Sequence, residues 1–159
     1  MQPSIKLLEE KKLVGMHLGM SLASNRTFEL WSNFRPRAHE IRNRVSADFI
    51  SMQLYDASHF INFDPSNQFT KWAAVEVSNC DTIPEEMDCF TLESGTYAVF
   101  HYKGSSADSS IFQYIFTQWL PNSEYQLDHR PHFEVLGSKY KNNDPNSEEE
   151  IWIPIRNRK

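Results

Sequence analysis

Apolar residues recur along this chain with two different periods. Leu13-Val14-Gly15-Met16-His17-Leu18 reads as an extended run, and Phe28, Leu30, Trp31 and Phe34 then fall at helical spacing. Asn25 and Thr27 are both suited to cap that helix. Pro36 ends or interrupts it, because proline lacks the backbone donor and clashes one turn back; a second helical segment continues through Ala38 and Ile41. Phe49 to Tyr55 alternates Ile50, Met52 and Leu54 against Phe49, Ser51, Gln53 and Tyr55. Trp72 to Val77 alternates Ala73, Val75 and Val77 against Trp72, Ala74 and Glu76. A period of two marks half-buried strands, and Asp64-Pro65-Ser66-Asn67 between them is a turn signal.

The same order then returns. A strand from Thr96 to Tyr102 leads through Lys103-Gly104-Ser105-Ser106 to a helix with Ile111, Phe112, Ile115, Phe116 and Trp119 at helical spacing; Asp108 or a nearby serine caps it. Strands follow at about 131–136 and 151–155, separated by a solvated acidic loop over 142–150. Trp72 and Trp152 occupy matching places in the last strands, and His17 and His101 match in the first. The pattern predicts a single domain over 1–159 made of tandem β-α-β-β units, about 5–80 and 88–156. The fold class is α+β: one antiparallel sheet, two helices on one face, and a ligand cleft at the join. The helix side is expected to carry Ile50, Met52, Leu54, Ala73, Val75 and Val77, and the other side Tyr55, Trp72, Glu76, Glu134 and Trp152.

Composition narrows the function. With 159 residues, 13% aromatics and a net charge of −5, the chain is a folded, aromatic-rich domain with no general grip on nucleic acid or anionic membranes. No apolar run has the length to cross a bilayer, and the start has no signal-peptide hydrophobic region, so a cytoplasmic location is expected. Cys80 and Cys89 have no metal-ligand spacing; a disulfide between them is open, with reduced thiols the expectation. No His/Cys metal motif and no glycine-rich phosphate loop occurs, so neither metal nor cofactor is expected.

The candidate chemistry lies in Arg130-Pro131-His132-Phe133-Glu134. A carboxylate in the middle of a buried strand is costly unless paired. Arg130, His132, a lysine elsewhere or a bound ligand can each fill that role for Glu134. A carboxylate facing a delocalised cation in a dry pocket reads charge, while aromatic walls read shape loosely. Tyr55, Trp72 and Trp152 are the aromatic candidates on the sheet, with Glu76 as a second anion and Tyr97 as a hydroxyl. Trp31 and Trp119, on the helices, are candidate walls. Ordinary packing is the competing reading for each.

Phe112-Gln113-Tyr114-Ile115-Phe116-Thr117-Gln118-Trp119-Leu120-Pro121-Asn122-Ser123-Glu124-Tyr125, together with Arg130 to Glu134 and the ending Glu150-Ile151-Trp152-Ile153-Pro154-Ile155, resembles the GyrI-like family. These are the effector-binding domains of AraC-type and MerR-type multidrug regulators and their stand-alone relatives, α+β barrels of the SOUL-like kind. The resemblance implies a monomer or weak dimer that binds amphipathic, mostly cationic small molecules in an aromatic cleft, with the family's central glutamate at Glu134. The role implied is drug sensing or sequestration. With no room for a helix-turn-helix before the first strand or after the last, direct DNA binding is not expected.

Two alternatives come from the same family. One is hydrolysis of electrophilic, cyclopropane-bearing compounds; Leu136 stands where many relatives carry a tyrosine, which argues against it. The other is a protein-interaction role such as gyrase inhibition, for which the acidic 144–150 run is the available surface.

Overall fold

The computed structural model describes residues 2–61 and 63–158. Nine strands form one antiparallel sheet: β1 (Ser4–Leu8), β2 (Lys11–Met20), β3 (Phe49–Leu54), β4 (Phe69–Val77), β5 (Asp88–Leu92), β6 (Gly95–Lys103), β7 (Tyr125–Leu127), β8 (His132–Leu136) and β9 (Glu148–Asn157). Helix α1 (Thr27–Phe34) passes directly into a tighter 3₁₀ segment, Arg35–Glu40, at Pro36. Helix α2 (Ser110–Tyr114) continues as a wide π turn, Ile115–Trp119, closed by a Leu120 N–H to Ile115 C=O bond of 2.8 Å. The helix starts use Asx turns rather than caps: Asn25 accepts from the Thr27 N–H and Asp108 from the Ser110 N–H.

The strand order is β1-β6-β9-β8-β3-β4-β2-β5, with β7 paired to β9 off this path. Exchanging β1 with β5, β2 with β6, β3 with β8 and β4 with β9 reverses the order onto itself. The centre of the sheet is therefore the β3–β8 pair, where Ser51 stands opposite Glu134 and Gln53 opposite His132. Strands β1, β5 and β7 are additions to the sequence expectation; they are too short, or too polar on one face, for periodicity to mark them.

Burial divides the sheet cleanly. On the back face Leu8, Leu13, Met52, Trp72, Leu92, Tyr97 and Phe133 form one core cluster. It joins residues from both edges, β1 and β5, so the sheet curls around that face. The helix face instead carries two separate lobes. One packs Leu30, Phe34 and Ala38 on Val14, Ala73, Val75 and Val77; the other packs Ile111 and Ile115 on Phe100, Ile151 and Ile153.

This corrects the expected faces. Ile50 pairs with Ala74 and Met52 with Trp72, so Ile50, Met52 and Leu54 share the back face with Trp72, Trp152 and Glu76. Only Ala73, Val75 and Val77 of the expected set meet the helices. Alternation within a strand fixes which residues go together, but the parity between partner strands is set by register. The cysteines are also corrected: Cys80 and Cys89 form a disulfide, tying the end of β4 to β5. The acidic loop is shorter than expected, because β9 already begins at Glu148.

Candidate functional site

Between the two helix-side lobes run β3 and β8, and beyond the Phe49–Leu136 pair at one end the side chains they present there are polar. Ser51, Gln53, His132 and Glu134 form a seam down the middle of an otherwise apolar face. Lys71 joins it from β4, directly across from Gln53. Glu149 joins it from β9, two residues before Ile151, which faces Glu134. The seam thus holds two carboxylates and one ammonium on the floor of a groove whose sides are the two helical lobes.

Glu134 is surrounded closely enough that burial raises its pKa above the usual carboxylate range, yet its side chain keeps some surface open to water. The Gln53 amide donates to its Oε1 at 3.2 Å, and Ser51 and the charge of Lys71 also favour the ionised form. Among the described residues no Lys, Arg or His nitrogen lies within 4.0 Å of Glu134. Arg130, a partner that the sequence offered, turns away to Asp128 at 2.8 Å and to the carbonyls of Thr96 and Ile155. His132 is held neutral at pH 7, its pKa pushed down to about 3 by burial and by neighbouring cationic groups.

Aromatic rings close one end of the groove. Phe60, in the β3–β4 connection, stacks on Phe116 of the π turn at 5.0 Å and on His132 at 5.4 Å. Tyr55 meets Phe60, His132 and Phe69 at 4.9–5.2 Å. Burial and the charge of Glu134 push its hydroxyl well above the usual phenol range, so it stays a neutral donor. On the α1 side Trp31 packs edge-on against Phe49, which Arg35 and Arg44 also cover.

Of the sequence candidates, the structure brings Glu134, Tyr55 and Trp31 to the helix side. Trp72 is buried on the back face, stacked on His17 at 4.5 Å, and Trp152 stacks there on Phe133 at 5.1 Å. Glu76 pairs with Lys11 at 3.1 Å on the same back face. Tyr97 is fully buried there and donates to the Pro131 carbonyl at 2.8 Å. Trp119 is on the helix side but away from the seam, against Phe100 and Tyr125. In an α-helix it would share a face with Phe116, three residues earlier; the wide π turn separates them. Two open concavities, of about 390 and 580 Å³, lie beside Arg156 and Arg158 and outside Trp119; neither holds an embedded charge, and the seam is the stronger candidate.

Sequence reasoning missed Lys71, Glu149 and Phe60. The first two were legible: Lys71 alternates with Ala73 and Val75, and Glu149 with Ile151 and Ile153. Phe60 left only a weaker signal, one of several apolar residues, with Ile61 and Phe63, in the β3–β4 connection.

Glu149 gives a pH-dependent prediction. Burial and the nearby charge of Glu134 raise its pKa from the usual 4.5 to about 7, against the pull of Lys71. Below pH 4.5 the carboxyl is neutral in both folded and unfolded chains. As pH rises from 4.5 to 7 the unfolded chain loses the proton first, so stability falls, and above 7 the cost is constant. At 1.36 kcal/mol per unit, discounted for partial solvent access, that cost is about 1–2 kcal/mol. Glu149→Gln is expected to raise Tm at pH 8 by about 3–6 °C and leave it unchanged at pH 4.5. Thermal melts at both pH values check this; an equal gain at both would refute the electrostatic origin.

Comparison with known proteins places the fold in a family. The family model for the GyrI-like small molecule binding domain matches residues 1–156. The transcriptional regulator BrlR of Pseudomonas aeruginosa is 29% identical over 149 residues, covering 90% of this chain and 51% of BrlR. The chain thus spans about half the length of that curated relative. The structure of SAV2435 bound to tetraphenylphosphonium superposes with a TM-score of 0.75 at 17% identity, covering 98% of this chain and 94% of the other. The C-terminal domain of EcmrR superposes with a TM-score of 0.72 at 15% identity, covering 99% and 98%. At these identities the two structures speak for the fold.

Proposed function

We propose, for a chain that belongs to the GyrI-like small molecule binding domain family, that its groove takes lipophilic, mostly cationic small molecules, with Glu134 as the charge-reading group. The role is drug sensing or sequestration. The mirrored strand order supports reading the two halves as copies of one unit, with the site at their join. The observation that carries the proposal is the state of Glu134: embedded, partly open to water, and held by the neutral side chains of Gln53 and Ser51 rather than by a protein cation in contact.

The physics follows from that state. Removing a carboxylate from water without pairing it is unfavourable, so a positively charged guest recovers what burial cost. The guest also draws the pKa of Glu134 back down, favouring the ionised acid. Tyr55, Phe60, Phe116 and Trp31 offer flat apolar surface, and a cation over such rings gains about 0.5–2 kcal/mol. These contacts carry little directional demand, which suits guests of varied shape and like charge. The neighbour SAV2435, which binds tetraphenylphosphonium, supplies a natural probe.

Calorimetric titration with tetraphenylphosphonium tests the reading. The wild-type chain is expected to bind, and Glu134→Gln, which keeps the shape and removes the charge, to bind at least about tenfold more weakly. Equal binding by both, or binding by neither, refutes it.

A further inference from the structure

Lys71 is unusual in this fold. It sits mid-strand in β4, with Leu18 across from it on β2 and Gln53 across from it on β3, neither of them charged. Burial lowers its pKa, and the charges that act on it in return are Glu134 and Glu149. It makes no ion pair within 4.0 Å with either carboxylate. A lysine whose only role was to neutralise Glu134 would close that gap, because a partly buried pair gains most at contact distance. Instead the ammonium faces the acids across the seam.

We propose that Lys71 is the groove's resident counter-cation and sets the charge class of its guest: the seam, with two carboxylates and one ammonium, admits singly charged cations and turns away doubly charged ones. The inference rests on the cation-binding reading above and adds the residue that limits it. The floor carries one net negative charge when both acids are ionised. One positive charge on a guest completes neutrality; a second meets Lys71 with nothing left to offset it. The other titratable groups nearby do not alter this count at pH 8, since burial holds His132 neutral and keeps the Tyr55 and Tyr140 hydroxyls protonated.

Coulomb energy is linear in the guest's charge, so removing Lys71 has a signature that packing changes lack. If Lys71→Met improves the affinity of a monocation by some factor, it improves that of a compact dication, both of whose charges lie close to Lys71, by up to about the square of it. The probes are tetraphenylphosphonium and the compact bis-quaternary methyl viologen, titrated at pH 8. The expected gains for Lys71→Met are about 3–10-fold and about 10–100-fold, whereas Lys71→Arg, which keeps the charge, preserves the wild-type preference. Lys71→Gln carries the same expectation as Lys71→Met if the methionine variant fails to fold. Equal gains for both probes, or a loss for either, overturn the role of Lys71 while Glu134→Gln still weakens binding. Should Glu134→Gln leave binding intact, the cation-binding reading itself falls instead.

Discussion

Phe133→Ala is expected to destabilise the protein by about 3–5 kcal/mol and to leave the affinity for tetraphenylphosphonium within threefold of wild type. Phe133 is 1% exposed and lies on the back face, stacked on Trp152 and edge-on to Tyr97 at 5.3 Å. Truncation removes a ring from the cluster that joins both edges of the curled sheet, and rigid strands on every side limit how far the void can collapse. The corresponding drop in Tm is about 8–15 °C. Glu134, the very next residue, points to the opposite face, so the two positions separate stability from binding: Phe133→Ala melts early and keeps its affinity, whereas Glu134→Gln does not melt early and binds at least about tenfold more weakly. Thermal melts paired with calorimetry on both variants give the answer. A Phe133→Ala protein that keeps its Tm but loses the cation would mean that the faces are assigned the wrong way round.

That division by alternation also measures how far the residues alone could be read. The strand, helix, strand, strand order is visible twice, because β3 and β4 carry a period of two and β2, β6, β8 and β9 read as extended apolar runs between turn signals and helical spacings. Glu134 was visible because a lone acid among apolar strand residues demands an explanation. The partners of Glu134 were not, because the groove depends on which face of β3 meets which face of β4 and β8. Trp72 and Trp152 seemed natural neighbours of the glutamate by residue type, yet register sends them to the far side of the sheet. Lys71 and Glu149 have the correct alternation but fall just outside the strands as read from the sequence, because β4 already begins at Phe69 and β9 at Glu148. The disulfide escaped for a different reason: a separation of 9 residues fits a bridge or two free thiols equally well until pairing of β2 with both β4 and β5 brings the connection after β4 back against β5.

Gly15→Val should cost about 3 kcal/mol or more, and the reason is invisible in the sequence. Gly15 lies in β2 between Val14 and Met16 and pairs with both Ala74 on β4 and Asp88 on β5. A Cβ there would collide with the Ala73 carbonyl oxygen and come within 2.7 Å of the Ala74 Cα and 2.8 Å of its Cβ. The obstacles are mostly backbone, so no rotamer relieves them; β2 and β4 must move apart, breaking the pairing that places Lys71 opposite Leu18 three residues further along β2. The expected outcome is a Tm lower by about 6–12 °C, with weaker cation binding where the protein remains folded. Gly19, in the same strand, is the matched control: nothing lies within 4 Å of a Cβ added there, and Gly19→Val is expected to shift Tm by less than about 2 °C, as at exposed sites generally. If the two valine variants melt alike, close approach of β2 and β4 is not what requires the glycine, and the curl that separates the groove from the back-face core needs another cause.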